Sequence, residues 1–435
     1  MSYHDFLAAK AASAARVGLD IDTDDLSPEL YEWQAHIVRW ACGVGRAAIW
    51  ADTGLGKTRM QLEWARVSAA GGVALVVAPL AVCAQTVREA AVLGIHARYV
   101  RDAGVITGPG VYVTNYEMVE RFPSDDLAAV VLDEASILKQ SNGATRTLLI
   151  EHFADVPRRL ACTATPAPND PEELTNQAAF LGQMTRANML AAYFVHDQDG
   201  WRPNGHAREP MFSWMSTWAL AIRRPSDLGY EDDGYDLPGL RILPHLLPVD
   251  IEVEGQLFAT DLGGVGGRAK IRKATLDVRC ARAVELVESE PGEPWVLWCG
   301  LNDEADLLAQ MIPGAVNVRG SMSPEEKATE LLRFADGETR VLITKPSLAA
   351  FGLNWQHCAR MVFVGLSDSY EAYYQSIRRC FRFGQHRVVD AHVVLSEVEA
   401  QIAENIKRKE RESSSVIGEL VTAMRTHHIN ERTAA

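Results

Sequence analysis

The most constraining feature of this sequence is an alternation of short apolar runs with helix-like segments that occurs twice. The first series of runs, between about residues 45 and 185, contains AAIWA, ALVVAPL, GVYVTNY, AAVVLDEAS and RRLACTAT. The second series, from residue 294 onwards, contains PWVLWCG, AVNVRG, RVLITKP, RMVFVGL and DAHVVLS. Such runs are typical of buried parallel strands with helices on both faces of the sheet. We therefore predict an α/β protein with two parallel-sheet units.

The domain organisation follows from this alternation. A chain of 435 residues is too long for one ordinary core, so we expect two main domains. The alternation is lost after residue 185, where tryptophans, prolines and the acidic turn EDDGYD appear, which favours an insertion and linker. The predicted segments are an N-terminal arm (1–25), a first unit (26–185), the insertion and linker (186–255), a second unit (256–425) and a tail (426–435). Helices are predicted over 57–69, 83–93 and 143–153, and in SPEEKATELLRFA.

Composition excludes several classes of protein. The longest apolar stretch, at 73–84, is shorter than a bilayer span and contains Pro79, so we expect no membrane segment. The seven cysteines form no CxxC pair, which favours reduced thiols in a cytoplasm and no structural metal. The net charge of −14 argues against a surface coated with nucleic-acid-binding residues, but it leaves room for a local basic track.

The segment AAIWADTGLGKTRMQLEWA has the pattern of a phosphate loop, because it places glycines between a predicted strand and a predicted helix. Gly54 and Gly56 allow a tight turn that directs backbone amides at phosphates, and the helix N-terminus adds positive potential. Lys57 can reach the terminal phosphates and Thr58 can ligate Mg²⁺. The predicted nucleotide-binding loop consists of Thr53, Gly54, Leu55, Gly56, Lys57 and Thr58.

Two acidic residues, Asp133 and Glu134, end the apolar run AAVVLDEAS. In a nucleotide hydrolase, an acid at the carboxyl end of a strand can hold Mg²⁺ through water, while its neighbour polarises the attacking water. Two acids after a strand can equally form a solvated turn. Their position downstream of a phosphate loop favours the catalytic interpretation.

A third cluster lies in YYQSIRRCFRFGQHR, where Arg379 and Arg382 are three residues apart and Gln375 precedes them by one turn. This spacing predicts that the three side chains share one face of a helix. An arginine that reaches a transferring phosphoryl group stabilises its charge. A basic, solvated helix face is the alternative, and location in the second unit favours the catalytic role.

These three clusters resemble motifs I, II and VI of superfamily 2 helicases, and the forms ADTGLGKT and RRCFRFGQ are closest to the Swi/Snf-like branch of DNA translocases. Further segments match in the family's order: LYEWQ resembles the adenine-recognition element, VAPLAV motif Ia, VTNYE motif Ib, TATPAPND motif III and FGLNWQ motif V. The matches span about residues 30 to 390. The compact length, YHDFLAAK and RRPSDLGY also resemble helicase-like proteins of bacteriophages and prophages.

The resemblance implies two RecA-like lobes with an ATP cleft between them, and ATP and Mg²⁺ as cofactors. It implies that Gln34 reads adenine, that Lys57 and Thr58 bind phosphate and Mg²⁺, and that Asp133 and Glu134 are the metal-binding and catalytic acids. In motif III, Thr163 and Thr165 would couple the nucleotide to the cleft. From the second lobe, Arg379, Arg382 and Gln375 would complete the site.

Contacts to nucleic acid are expected mainly at the sugar-phosphate backbone, with little sequence specificity. The expected contact residues are Pro79, Asn115, Tyr116, Arg319, Lys345 and Asn354. The sequence departs from the family at DEAS and at TKPSLAAFGLNWQ, and the second departure puts the contacts of Lys345 and Asn354 in question. Trp355 could stack on a base, but buried packing is the favoured prediction.

The resemblance therefore implies an ATP-dependent translocase that moves on duplex DNA in a cytoplasm, which would be that of a bacterial host if the protein is phage-encoded. Two alternatives remain open. One is an RNA helicase, since DEAS differs from DEAD by one residue. The other is an ATP-gated DNA-binding subunit for a nuclease or methyltransferase.

Overall fold

The computed structural model describes residues 16–139, 143–168, 170–197, 200–248, 272–349, 354–367 and 369–434. The chain forms two compact units, one from the residues up to Asp233 together with those from Glu412, and the other from Gly234–Arg411. The segments YHDFLAAK and FGL of motif V, and the predicted domain boundary at 255, lie outside the described residues.

The first unit is built on a parallel sheet. Its strands are Arg46–Ala51 (β1), Val73–Ala78 (β2), Ala97–Tyr99 (β3), Gly110–Asn115 (β4), Leu127–Asp133 (β5) and Arg158–Cys162 (β6), followed by a small antiparallel hairpin of Phe194–Asp197 (β7) and Gly200–Pro203 (β8), and by Ala219–Ile222 (β9). In the described residues the sheet has the order β3-β4-β2-β5-β6-β1-β9, and its strand pairs are parallel. Each of the five apolar runs of the first series forms one of these strands.

Helices flank the strands of this sheet. They are Glu32–Val44 (α1), Lys57–Ala69 (α2), Leu80–Val92 (α3), Ala144–His152 (α4), Leu174–Phe180 (α5), Arg186–Tyr193 (α6) and Arg208–Met215 (α7). The predicted helix over 57–69 has the observed bounds, and that over 143–153 differs by one residue at each end. Helix α3 begins three residues before the prediction because Pro79, which has extended backbone angles, stands directly at its N-cap.

The segment 186–255, predicted to be an insertion and linker, contributes one strand to the parallel sheet of each unit. Strand β9 is entirely buried and pairs in parallel with β1, the strand that precedes the glycine-rich loop. Trp218, which precedes it, packs edge-on against Trp50 with ring centroids 5.8 Å apart. Four residues within an aromatic-rich stretch are too short a run for a strand to be identified from periodicity, and pairing with β1 decides their conformation.

The second unit also contains a parallel sheet. Its strands are Leu240–Leu247 (β10), Trp295–Cys299 (β11), Val316–Asn317 (β12), Val341–Thr344 (β13), Arg360–Val364 (β14) and Val389–Ser396 (β15). Among the described residues the order is β10-β15-β14-β11-β13-β12, with parallel pairs throughout. Together the two sheets confirm the predicted fold of two parallel-sheet α/β lobes.

The helices of the second unit pack on both faces of its sheet. They are Leu276–Ser289 (α8), Asn302–Met311 (α9), Pro324–Ala335 (α10) and Tyr370–Cys380 (α11), together with a single helical turn at Pro346–Ala349. Alternate residues of β11 enter two separate hydrophobic clusters, with Trp298 in one and Leu297 in the other. Trp355 is fully buried beside Trp298, which confirms the prediction that it packs in the core.

A long C-terminal helix, Ala400–Ala434 (α12), extends through most of the segment predicted to be a tail. Within the first unit, the Met424 sulfur lies 3.0 Å from the Ala221 amide nitrogen, and Arg208 forms an ion pair with Glu419. Among the residues that the structure describes, no helix combines the length and the apolar character needed to span a membrane.

Candidate active site

The predicted loop and acids of the first unit meet at one edge of its sheet. Strands β5, β6 and β1 are neighbours, with Asp133 in register with Cys162 and Ile49 in register with the same cysteine. Because the strands are parallel, the segments that follow their carboxyl ends emerge together. The glycine-rich loop, Glu134 and Thr163 therefore lie at a common edge.

The glycine-rich loop has the backbone that its sequence predicts. Gly54 and Gly56 have φ values of 88° and 73°, in the left-handed region that glycine adopts at little cost. The Asp52 carboxylate accepts a hydrogen bond from the Thr53 amide at 2.6 Å, and helix α2 begins at Lys57. The amides of the first helical turn have no partners within the helix, so this end of α2 is suited to bind an anion.

Gln34 is fastened against this loop and is only 2% exposed. Its Nε2 donates to the Leu55 carbonyl oxygen at 3.0 Å, and its Oε1 accepts from the Tyr31 amide at 3.1 Å. A Cβ atom on Gly56 would lie 2.4 Å from the same Nε2. The glycine at position 56 therefore allows both the turn of the loop and the close approach of the glutamine.

The Lys57 ammonium group is directed at the loop from within. Its Nζ donates to the carbonyl oxygens of Ala51 at 2.8 Å and Asp52 at 3.3 Å. Burial lowers the pKa of Lys57, while the carboxylates of Glu134, Asp52 and Asp133 act in the opposite direction. The lysine is thus a partly buried cation close to the acidic pair.

The acidic pair, Asp133 and Glu134, has a shifted pKa at one residue and a strained backbone at the other. Burial and the neighbouring Glu134 raise the pKa of Asp133 to about 7, and the Gln61 amide and Lys57 oppose that rise. Glu134 has a φ of 57°, one of two positive φ values at non-glycine residues in the described parts of the chain. Such backbone strain persists only where the surroundings enforce it, and it concentrates at functional sites.

Two further side chains hold the acids. The Thr163 hydroxyl donates to Glu134 Oε2 at 3.4 Å and accepts from the Thr165 amide at 3.1 Å. The Tyr116 hydroxyl donates to the Asp133 carbonyl oxygen at 2.6 Å.

Gln61, fully buried on α2, was not anticipated as part of the site. Its spacing of four residues from Lys57 places it on the same helix face.

The residues expected to contact nucleic acid occupy different surroundings. Asn115 is 3% exposed and its Nδ2 donates to the Tyr99 hydroxyl at 2.9 Å, so its side chain faces inward, as the Tyr116 hydroxyl does. Pro79 is the N-cap of α3. In the second unit, Arg319 pairs with Asp306 at 2.9 Å and has half of its side chain exposed. Lys345 and Asn354 are partly exposed.

The arginine cluster of the second unit departs from the prediction of one helix face. Arg379 is on α11, is 3% exposed, and its Nε donates to the Gln375 carbonyl oxygen at 3.2 Å. The Gln375 amide donates to Glu371 at 3.3 Å. Helix α11 ends at Cys380, so Arg382 lies in the following turn, which closes through the Gln385 amide and the Arg382 carbonyl oxygen at 3.0 Å. This turn favours a glycine at position 384, because φ there is 86°, in the left-handed region.

Comparison with known proteins finds a family match in the second unit. Residues 279–384 match the family described as the helicase conserved C-terminal domain. No curated protein matches the chain. Among solved structures, the chain is similar to the SWI2/SNF2 ATPase core of Sulfolobus solfataricus in complex with double-stranded DNA, with 17% identity over 92% of this chain and 97% of that chain and a TM-score of 0.44. An activity does not transfer at this level of similarity. Residues 279–384 of the second unit are thus similar to the helicase conserved C-terminal domain.

Proposed function

We propose that this protein is an ATP-dependent DNA translocase of the Swi/Snf-like type, which couples ATP hydrolysis to movement on double-stranded DNA. One observation carries the proposal. Lys57, the Asp133-Glu134 pair and Thr163 converge at one sheet edge of the first unit, while the second unit matches a helicase C-terminal domain.

The residues present fit an adenine nucleotide. The positive φ values of Gly54 and Gly56 turn the loop so that the amides at the start of α2 can bind phosphates. The Lys57 ammonium, which donates to two loop carbonyls, would donate to the terminal phosphates instead. The Gln34 amide, held beside Leu55, offers a donor and an acceptor for the adenine edge.

The same edge offers oxygen ligands for Mg²⁺. The Thr58 hydroxyl and the Asp133 carboxylate would hold the ion, directly or through water, and when bound it neutralises charge on the phosphates. Glu134 would accept a proton from the attacking water. Thr163, which donates to the Glu134 carboxylate, would orient that carboxylate.

The second unit would contribute cations to the reaction. Arg379 and Arg382 are proposed to stabilise charge on the transferring phosphoryl group, with Gln375 as a further nucleotide contact. If so, Arg379→Ala and Arg382→Ala each lower the turnover number strongly. Arg387→Ala is a suitable control, because Arg387 pairs with Glu293 and is half-exposed.

Contacts to DNA are proposed for residues near exposed loops. Arg319, Lys345, Asn354 and Pro79 would touch the sugar-phosphate backbone, and affinity would fall steeply with salt. Asn115 and Tyr116 make hydrogen bonds inside the first unit, so we propose no DNA contact for their side chains.

The decisive experiment is ATP turnover measured alone, with duplex DNA and with single-stranded RNA. Duplex DNA is expected to raise the rate, and equal rates in all three conditions would refute the proposal. Stimulation by RNA but not DNA would indicate an RNA helicase. Triplex displacement beside strand unwinding on the same preparation then separates translocation from strand separation.

Glu134→Gln supplies the matched test of chemistry. Loss of a general base lowers the rate by about 10² to 10⁴-fold, so this variant should bind ATP and hardly hydrolyse it. Glu120→Gln is the control, since Glu120 is exposed. If Glu134→Gln keeps full function, the protein would act as an ATP-gated subunit, for which a nuclease or methyltransferase is the proposed partner.

The resemblance of RRPSDLGY to proteins of bacteriophages and prophages leads us to propose such an origin, and hence action in a bacterial cytoplasm. Finding the coding sequence among phage structural and replication genes would support this origin. A chromosomal position with no phage genes nearby would argue against it.

A further inference from the structure

Tyr116 lies where a nucleic-acid contact was expected, yet its hydroxyl is bound inside the first unit. The residue directly follows β4, and the sheet order places β2 between β4 and β5. Its side chain extends past the end of β2, and its hydroxyl donates to the Asp133 carbonyl oxygen at 2.6 Å. The tyrosine thus connects the end of one strand to the acidic pair at the end of another.

The accepting carbonyl belongs to the peptide that joins Asp133 to Glu134. The orientation of this peptide is linked to φ of Glu134, which is 57° and lies in the left-handed region, because φ is the torsion about the N–Cα bond that follows the peptide. That conformation is strained for a residue with a side chain, so it persists only where its surroundings enforce it. From the opposite side of β5, the Thr163 hydroxyl donates to the Glu134 carboxylate. Both hydrogen bonds therefore stabilise one orientation of Glu134.

We propose that Tyr116 is a positioning residue for hydrolysis, whose hydroxyl fixes the Asp133-Glu134 peptide so that both carboxylates face the nucleotide. This inference rests on the proposed ATPase function. Tyr116 acts through the two acids and does not itself touch the reacting atoms.

The hydroxyl is suited to this role because a backbone carbonyl oxygen can only accept a hydrogen bond, and the phenol donates to it at 2.6 Å. Without it, the Asp133 carbonyl would lose a short hydrogen bond, and the strained conformation of Glu134 would be less populated.

Tyr116→Phe tests the inference, because it removes only the hydroxyl. One neutral hydrogen bond corresponds to a change of about tenfold. We expect the turnover number to fall by about that factor. In a binding assay with a fluorescent ATP analogue, we expect affinity without Mg²⁺ to be unchanged and its enhancement by Mg²⁺ to fall severalfold, because Asp133 shifts with its peptide.

Tyr112→Phe is the matched control. Tyr112 is on β4, the strand that Tyr116 follows, and is buried, and its hydroxyl also donates to a backbone carbonyl, that of Gly108 at 2.9 Å. A purely structural role predicts that both variants lower the melting temperature and leave the turnover number per folded molecule unchanged. A positioning role predicts that only Tyr116→Phe changes turnover and the Mg²⁺ effect.

Several outcomes would overturn the inference. Turnover and Mg²⁺ enhancement equal to wild type in Tyr116→Phe would do so, as would equal losses in both tyrosine variants. Loss of DNA affinity alone would return Tyr116 to a nucleic-acid contact. If wild type hydrolyses no ATP, the proposed function fails, but the Mg²⁺ enhancement of binding still tests Tyr116. Thr163→Val is a second variant for the case in which Tyr116→Phe does not fold. It removes the hydrogen bond that Glu134 receives from the other side of β5, so it should also lower the turnover number.

Discussion

Replacing Gly56 by alanine should damage the phosphate loop in two separable ways. The first is backbone strain, because Gly56 has a φ of 73°. The second is a clash, because the new Cβ would lie 2.4 Å from Gln34 Nε2, whereas ordinary contact begins at 3.4 Å. The glutamine amide must therefore retreat by about 1 Å, the difference between these distances, and its 3.0 Å hydrogen bond to the Leu55 carbonyl oxygen would break.

The backbone strain and the broken hydrogen bond each have a known cost in free energy. Left-handed backbone costs a non-glycine residue about 1–2 kcal/mol, and the lost hydrogen bond adds about 1 kcal/mol. Gly56→Ala should therefore lower the free energy of unfolding by about 2–3 kcal/mol. Gly71→Ala isolates the first part, because Gly71 has a φ of 82° and a Cβ there would meet nothing within 4 Å. Its expected cost is about 1–2 kcal/mol.

Urea denaturation and nucleotide titration distinguish the two parts. In a unit of this size, 1 kcal/mol shifts the melting temperature by about 2–4 °C, so both variants remain folded at room temperature. Gly56→Ala should lose affinity for the ATP analogue and discrimination between ATP and GTP, since Gln34 is displaced. Gly71→Ala should bind as wild type does. Equal stability and equal nucleotide affinity in the two variants would refute the placement of Gln34 over Gly56.

Three other predictions concern stability and reactivity. Arg279 and Glu304 form a fully buried ion pair at 2.7 Å, so Arg279→Met should cost about 3–5 kcal/mol in urea denaturation, and adding Glu304→Gln should recover part of it. Burial lowers the pKa of His392 to about 4. The unfolded chain therefore binds the proton first as pH falls from 6.5 to about 4, and the folded state should lose about 1–2 kcal/mol over that range, an amount reduced for partial solvent screening. His392→Gln should flatten this pH dependence, and an unchanged slope would assign it to other groups. All seven cysteines are buried and free, and burial raises the pKa of Cys42 to about 12, so native protein should react with a disulfide reagent far more slowly than protein in urea.

The features that could be read from the sequence are those that neighbouring residues determine. The apolar run of β1, the glycines at 54 and 56 and the helix from Lys57 act within a few residues of one another, and the structure has each of them where the pattern predicts it. The burial of Trp355 was predictable for a similar reason, since a large apolar side chain seldom stays exposed without a partner.

Tertiary structure decided the surroundings of the acids. The order β4-β2-β5 brings Tyr116 to the Asp133 carbonyl oxygen, and the order β5-β6-β1 brings Thr163 to Glu134. Strand order depends on packing between segments far apart in the chain, so no local pattern shows it. The same holds for β9, whose four residues become a strand through pairing with β1. The sequence by itself therefore predicted which residues form the candidate site, whereas the assembled sheet decided which side chains hold them in position.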